Sequence, residues 1–219
     1  MVWIWIVLYG VTYTLSGLLP DGEWGTPAAM LGYTALLLLW LWRKKKFASL
    51  GLGKTAVGTA KGCGYFLPLL ALPVYHLIAG GMPPVGLSRV ILTVSVAVVE
   101  ELFFRGAVQG YLLKRTSPLW GILIGGIGFG LLHGANLLTG APPAYTLLQM
   151  LCAASVGIGY GAAAYRCKSI LPCICAHFLT NITAPSGLRP GGGLWLCMLI
   201  PVLYALILGL CPPGRKKEK

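Results

Sequence analysis

Charge is what this sequence has least of. Only 10% of its residues are charged against 57% hydrophobic, and Asp and Glu together number 5. A soluble domain carries about 25% charged residues, so a soluble fold is excluded and a lipid environment is expected. Mean hydropathy is +0.79. Long polar loops are missing as well, which leaves no room for a soluble domain between the apolar runs. Nor is there an H-E-x-x-H segment of the kind that binds catalytic zinc on a helix, or an inverted repeat with paired broken helices, a feature transporters often show. The seven cysteines, Cys63, Cys152, Cys167, Cys173, Cys175, Cys197 and Cys211, fit no disulfide framework. Most fall within or beside apolar runs, where cysteine acts as a small buried hydrophobe. The first apolar run lacks a basic leader and a small-residue cleavage site, so it is expected to be retained. The final G-R-K-K-E-K matches no lipidation signal, so no lipid anchor of its own is expected.

What the sequence does have is apolar runs of membrane-crossing length, roughly 17 to 25 residues each. Eight are expected, at 2–19, 27–42, 65–80, 89–113, 118–135, 144–165, 169–185 and 194–211. The fold class expected is all-α, a polytopic membrane helix bundle forming a single integral-membrane domain over 1–219. With eight alternating crossings, Arg43 to Lys46, Lys54, Lys61, Lys114, Arg115, Arg166, Lys168, Arg215, Lys216, Lys217 and Lys219 fall on one side. Only Arg89 and Arg189 fall opposite, and Arg105 lies within a run. Cytoplasmic connections accumulate such cations, so both termini are expected in the cytoplasm. The net charge of +12 belongs to these membrane-flanking clusters and to contact with anionic lipid, so no nucleic-acid partner is expected.

Few groups capable of chemistry lie inside the runs: Glu100, Glu101, Arg105, His133, His177 and Asn181, with His76 on the third. A carboxylate at bilayer depth costs about 2.5 to 3.5 kcal/mol on insertion scales, so such a residue usually faces a cavity and has a function. Residues four apart on a helix share a face, which pairs Glu101 with Arg105 and His177 with Asn181. Glu100 lies about 100° round from Glu101 and is left as the free ionisable group. Gly126, Gly130 and Gly134 repeat at small-xxx-small spacing, as do Gly121 and Gly125, so neighbouring backbones can approach and bring His133 to a partner. A carboxylate with a histidine can deprotonate a water and return the proton to a leaving amine. A second histidine and an amide can serve a tetrahedral oxyanion. This inventory suits peptide hydrolysis without a serine or cysteine nucleophile. Zinc has two openings to consider: a His₂Glu set of Glu100, His133 and His177, and Cys173, Cys175 and His177, whose alternate positions point about 200° apart on a helix. No cofactor is the favoured expectation. His76 matches no motif and reads as a packing or interface residue.

The phrases E-E-L-F-F-R (100–105), F-G-L-L-H (129–133) and H-F-L-T-N (177–181) come in an order and on helices similar to one family. Over 89–185 the chain resembles the CPBP family of intramembrane glutamic proteases, which includes the type II CAAX prenyl endopeptidases and bacterial relatives. The resemblance implies that Glu100 and His133 activate a water, that His177 and Asn181 stabilise the oxyanion, and that Glu101 and Arg105 support the site. It implies an endopeptidase in a bacterial cytoplasmic membrane that cuts near the C-terminus of a membrane-anchored protein. The substrate would be a prenylated CAAX protein or the C-terminal sorting signal of an exported one. Two other functions compete: a non-catalytic bacteriocin-immunity or scaffold protein, and a proton-coupled transporter using the same Glu and His residues.

Overall fold

A computed structural model describes residues 2–18, 22–52, 64–185 and 191–210. Of the cations that set the expected orientation, Lys54, Lys61, Arg189, Arg215, Lys216, Lys217 and Lys219 lie outside the described residues, as do Cys63 and Cys211. Secondary structure among the described residues is entirely helical, with eight principal helices. They are α1 (Val2–Leu18), α2 (Gly25–Arg43), α3 (Ala71–Gly80), α4 (Leu87–Glu101), α5 (Pro118–Leu132), α6 (Pro143–Cys167), α7 (Leu171–Thr183) and α8 (Gly192–Leu210). Each expected run holds one of them. Among the described residues three helical stretches are long and apolar enough to cross a membrane unaided: Gly25–Arg43, Pro118–Thr139 and Pro143–Cys167.

Two runs differ from the uninterrupted α-helices that hydropathy suggests. The fourth leaves α geometry after Glu101, passes through a π-helical stretch, Leu102–Val108, and regains one α turn at Gln109–Leu112. Wide π turns inside α-helices occur mostly at functional sites. The seventh is only 13 residues long. It starts at Leu171 with Pro172 in its first turn, where a missing N–H costs nothing, and its end is closed from outside. The Arg89 Nη2 group of α4 donates to the carbonyls of Asn181 (3.3 Å), Ile182 (3.3 Å) and Ala184 (2.6 Å). A cation there also opposes the negative end of the helix dipole.

The long helix α6 forms the centre, and α5 lies along it so closely that only glycine fits. A Cβ at Gly126 would stand 2.6 Å from the Ile158 nitrogen, and one at Gly130 would stand 2.5 Å from the Met150 carbonyl oxygen. On the other side of α6, Gly159 receives Pro201 of α8. Ile4, Val7, Leu36, Ile78 and Ile207 are exposed on the outside, whereas Glu101, Arg105 and Gln109 are buried. Apolar residues outside and hydrogen-bonded polar groups inside suit a protein whose solvent is lipid.

Candidate active site

Five helices, α1, α4, α5, α6 and α7, bring the site together. The first requirement is a place for two buried carboxylates, and α4 meets it by aiming them at different partners. Glu101 is fully buried and its Oε1 accepts from Arg105 Nη1 at 2.8 Å, four residues on. Arg105 also donates through Nη2 to the Gly157 carbonyl of α6 at 3.2 Å. Its guanidinium carbon lies 4.4 Å from the Phe129 ring centroid and 5.3 Å from that of Tyr160. A buried ion pair returns its desolvation cost only when such further contacts exist. The expected pair is therefore present, and the cation is held by two rings besides.

The same Glu101 Oε1 lies 2.8 Å from His177 Nδ1 of α7. Because a carboxylate oxygen only accepts, Nδ1 carries the proton. The opposite ring nitrogen, Nε2, stands 3.7 Å from Glu100 Oε2. His177 thus bridges the adjacent glutamates, a placement the pairing with Asn181 alone did not suggest. Glu100 Oε1 accepts a hydrogen bond from the Tyr9 hydroxyl of α1, so Glu100 has a partner after all. Its Oε2 is buried and has no hydrogen-bond partner. The result is one continuous chain of polar groups, from Arg105 through Glu101, His177 and Glu100 to Tyr9.

His133 follows α5 and begins the 3-10 stretch His133–Thr139. Its Nδ1 lies 3.1 Å from the Phe129 carbonyl. A carbonyl accepts, so Nδ1 holds the proton and Nε2 keeps a lone pair. The Phe129 ring packs edge-on against both His133 (5.2 Å between centroids) and His177 (5.7 Å) while facing Arg105. It orients both histidines from one side. Asn181 sits one turn beyond His177 on α7, and its backbone carbonyl is among those held by Arg89.

These groups share a cavity of about 240 Å³ lined by Tyr9, Glu100, His133, Asn136, His177 and Asn181. All four residues expected to do chemistry line it, and the two expected in support, Glu101 and Arg105, stand behind it. Sequence reasoning missed Tyr9, a tyrosine in an apolar run with no motif around it. It also missed Asn136, whose amide donates to Gln149 Oε1 at 2.8 Å on the cavity wall. The expected divergence of Cys173 and Cys175 holds: Cys173 donates to the Tyr160 carbonyl at 3.3 Å and Cys175 is exposed. Among the described residues no three His, Cys, Asp or Glu side chains are grouped so as to hold a metal ion. A buried carboxylate with one unpaired oxygen, two histidines and an amide around one cavity can bind a water, take its proton, and donate to an anionic oxygen.

With that geometry in place, the chain can be compared with known families. Residues 83–183 match the family described as type II CAAX prenyl endopeptidase Rce1-like, consistent with the CPBP family. The matched segment runs from just before α4 to the end of α7, so it contains Glu100, His133, His177 and Asn181 but not Tyr9. No curated protein and no solved structure matches the chain.

Proposed function

We propose, from the match of residues 83–183 to the Rce1-like family, that this protein is an intramembrane glutamic endopeptidase. Its substrate is a membrane-anchored protein cut near the C-terminus, either a prenylated CAAX protein or the C-terminal sorting signal of an exported protein. It crosses a bacterial cytoplasmic membrane several times with both termini inside, a placement resting on the basic residues beside its apolar runs.

One observation carries the chemistry. Glu100, unlike Glu101, lines the cavity that His133 shares, and it has one oxygen fixed by Tyr9 and the other without a hydrogen-bond partner. A water between Glu100 Oε2 and the lone pair of His133 Nε2 is oriented by both. As its oxygen bonds to the scissile carbonyl carbon, one proton passes to Glu100. The carbonyl oxygen becomes an oxyanion and accepts from the Asn181 amide and from His177 Nε2. To donate there, His177 must hold both ring protons, and the charges of Arg105, Glu101, His177 and Glu100 then cancel. That balance supports a charged pair of glutamates in a buried site. When the C–N bond breaks, Glu100 gives its proton to the leaving nitrogen, and a carboxylic acid and an amine depart.

The test is proteolysis in liposomes holding the purified protein, offered prenylated C-terminal peptides and C-terminal anchor sequences side by side, with and without chelator. The proposal expects release of a short C-terminal fragment from one class, unchanged by chelator. Cleavage lost on chelation would make Glu100 a metal ligand. Proton flux with no cleavage would transfer the polar chain to transport, and neither activity would favour the immunity or scaffold role.

A further inference from the structure

A second cavity of about 120 Å³ adjoins the first. His177 and Asn181 line both. Its other walls are mostly apolar, from Leu72, Phe129, Cys152 and Val156, and His76 of α3 completes it. His76 is only 3% exposed. Its Nδ1 lies 3.3 Å from Thr183 Oγ1, while that hydroxyl donates its proton to the Leu179 carbonyl at 2.7 Å. Thr183 can therefore only accept from His76, which puts the ring proton on Nδ1. His76 Nε2 is left as a buried lone pair with no partner. A buried acceptor of this kind favours any occupant that brings a donor and penalises one that does not.

We infer that this cavity is a specificity subsite which reads one substrate residue beside the scissile bond, and that it selects a small side chain carrying a hydroxyl, threonine above all. The inference rests on the proteolytic reading of the neighbouring cavity. Size sets the upper limit: apolar cavities near 150 Å³ accept benzene, so a slightly smaller one takes a branched side chain of a few heavy atoms and not an indole. Chemistry sets the selection. Threonine and valine have the same shape, but only threonine offers His76 Nε2 a proton, and sites that pair a substrate hydroxyl discriminate strongly against analogues lacking it. His76 does not touch the reacting atoms in this scheme; it positions the substrate.

The experiment uses the full chain in nanodiscs with anchored peptides carrying threonine, valine or alanine at each of the two positions flanking the cut. In the wild type, threonine should be preferred by about tenfold or more in kcat/KM at one of them. His76→Leu should bring that ratio to about one or invert it. Ala153→Leu narrows the same cavity while keeping His76, so it should favour alanine over both and covers the case of a misfolded His76 variant. The same peptides competing with a labelled one for the Glu100→Gln protein should show the threonine preference without chemistry. A ratio near one in the wild type, a ratio unchanged in His76→Leu, or no binding of either peptide would overturn the subsite. Absence of cleavage with the preference kept in binding would remove only the proteolytic reading.

Discussion

Adding one methyl group to α5 should separate the effect of helix contact from that of chemistry. In Gly130→Ala the new Cβ would stand 2.5 Å from the Met150 carbonyl oxygen and 2.6 Å from the Ala154 Cβ, with ordinary contact beginning at 3.4 Å. These are backbone and short side-chain atoms of α6, which cannot rotate away. The two helices must part by roughly 1 Å, since packed interiors have no slack to absorb a methyl. Overpacking of this kind costs about 1 to 3 kcal/mol. His133 lies three residues further on, so it moves with α5, and a 1 Å displacement of a catalytic group costs about a hundredfold in rate. Gly128 of the same helix is the control, because its Cβ would meet nothing within 4 Å. Alanine there gains helix propensity of about 1 kcal/mol at most. The assay is paired: resistance to unfolding in mixed detergent, and kcat/KM on the cleaved peptide. Gly130→Ala should lose on both while Gly128→Ala stays at wild type or slightly above. Equal behaviour of the two variants would refute the close contact of α5 with α6 and the placement of His133 that depends on it.

Other variants test single contacts. Tyr9→Phe removes the hydroxyl that holds Glu100 but keeps the ring against Phe103 (5.9 Å between centroids); hydrogen bonds to charged groups are worth about 1.5 to 3 kcal/mol, so kcat/KM should fall at least about tenfold with the fold retained in circular dichroism. Arg105→Lys keeps the charge but cannot face Phe129 and Tyr160 while also bonding Glu101 and the Gly157 carbonyl. Detergent unfolding should show a loss of about 2 kcal/mol. Arg89→Gln uncaps α7, and hydrogen exchange at its last turn should accelerate by about tenfold, with no such change in α2.

The parts of this site legible in the sequence were those that break a local rule. Polar and ionisable residues in an apolar run are costly enough to be noticed at once, and Glu100, Glu101, Arg105, His133, His177 and Asn181 all stand out on that ground. Spacing of four residues gave the Glu101 to Arg105 pair, and glycine spacing gave the approach of α5 to α6. Tyr9 breaks no rule, because tyrosine sits comfortably in an apolar helix and its partner is 91 residues away. His76 was visible but its surroundings were not: an unpaired ring nitrogen is a property of packing, not of spacing. The π turns after Glu101 escaped for another reason. Hydropathy reports which residues avoid water and is silent on whether the backbone closes its hydrogen bonds four or five residues on. Among the described residues each of the eight runs therefore holds one principal helix, in the expected order, but the runs did not show the short span of α7 or the irregular fourth run.

The central claim, that Glu100 is the base and Glu101 its support, is tested most directly by Glu100→Gln in the reconstituted protein, on whichever peptide the wild type cleaves. The amide keeps the shape and can still pair with Tyr9, but it cannot take a proton from water. General-base contributions of 10² to 10⁴ predict a fall in kcat of about a thousandfold, with peptide binding retained. Cleavage by Glu100→Gln at the wild-type rate would contradict the claim.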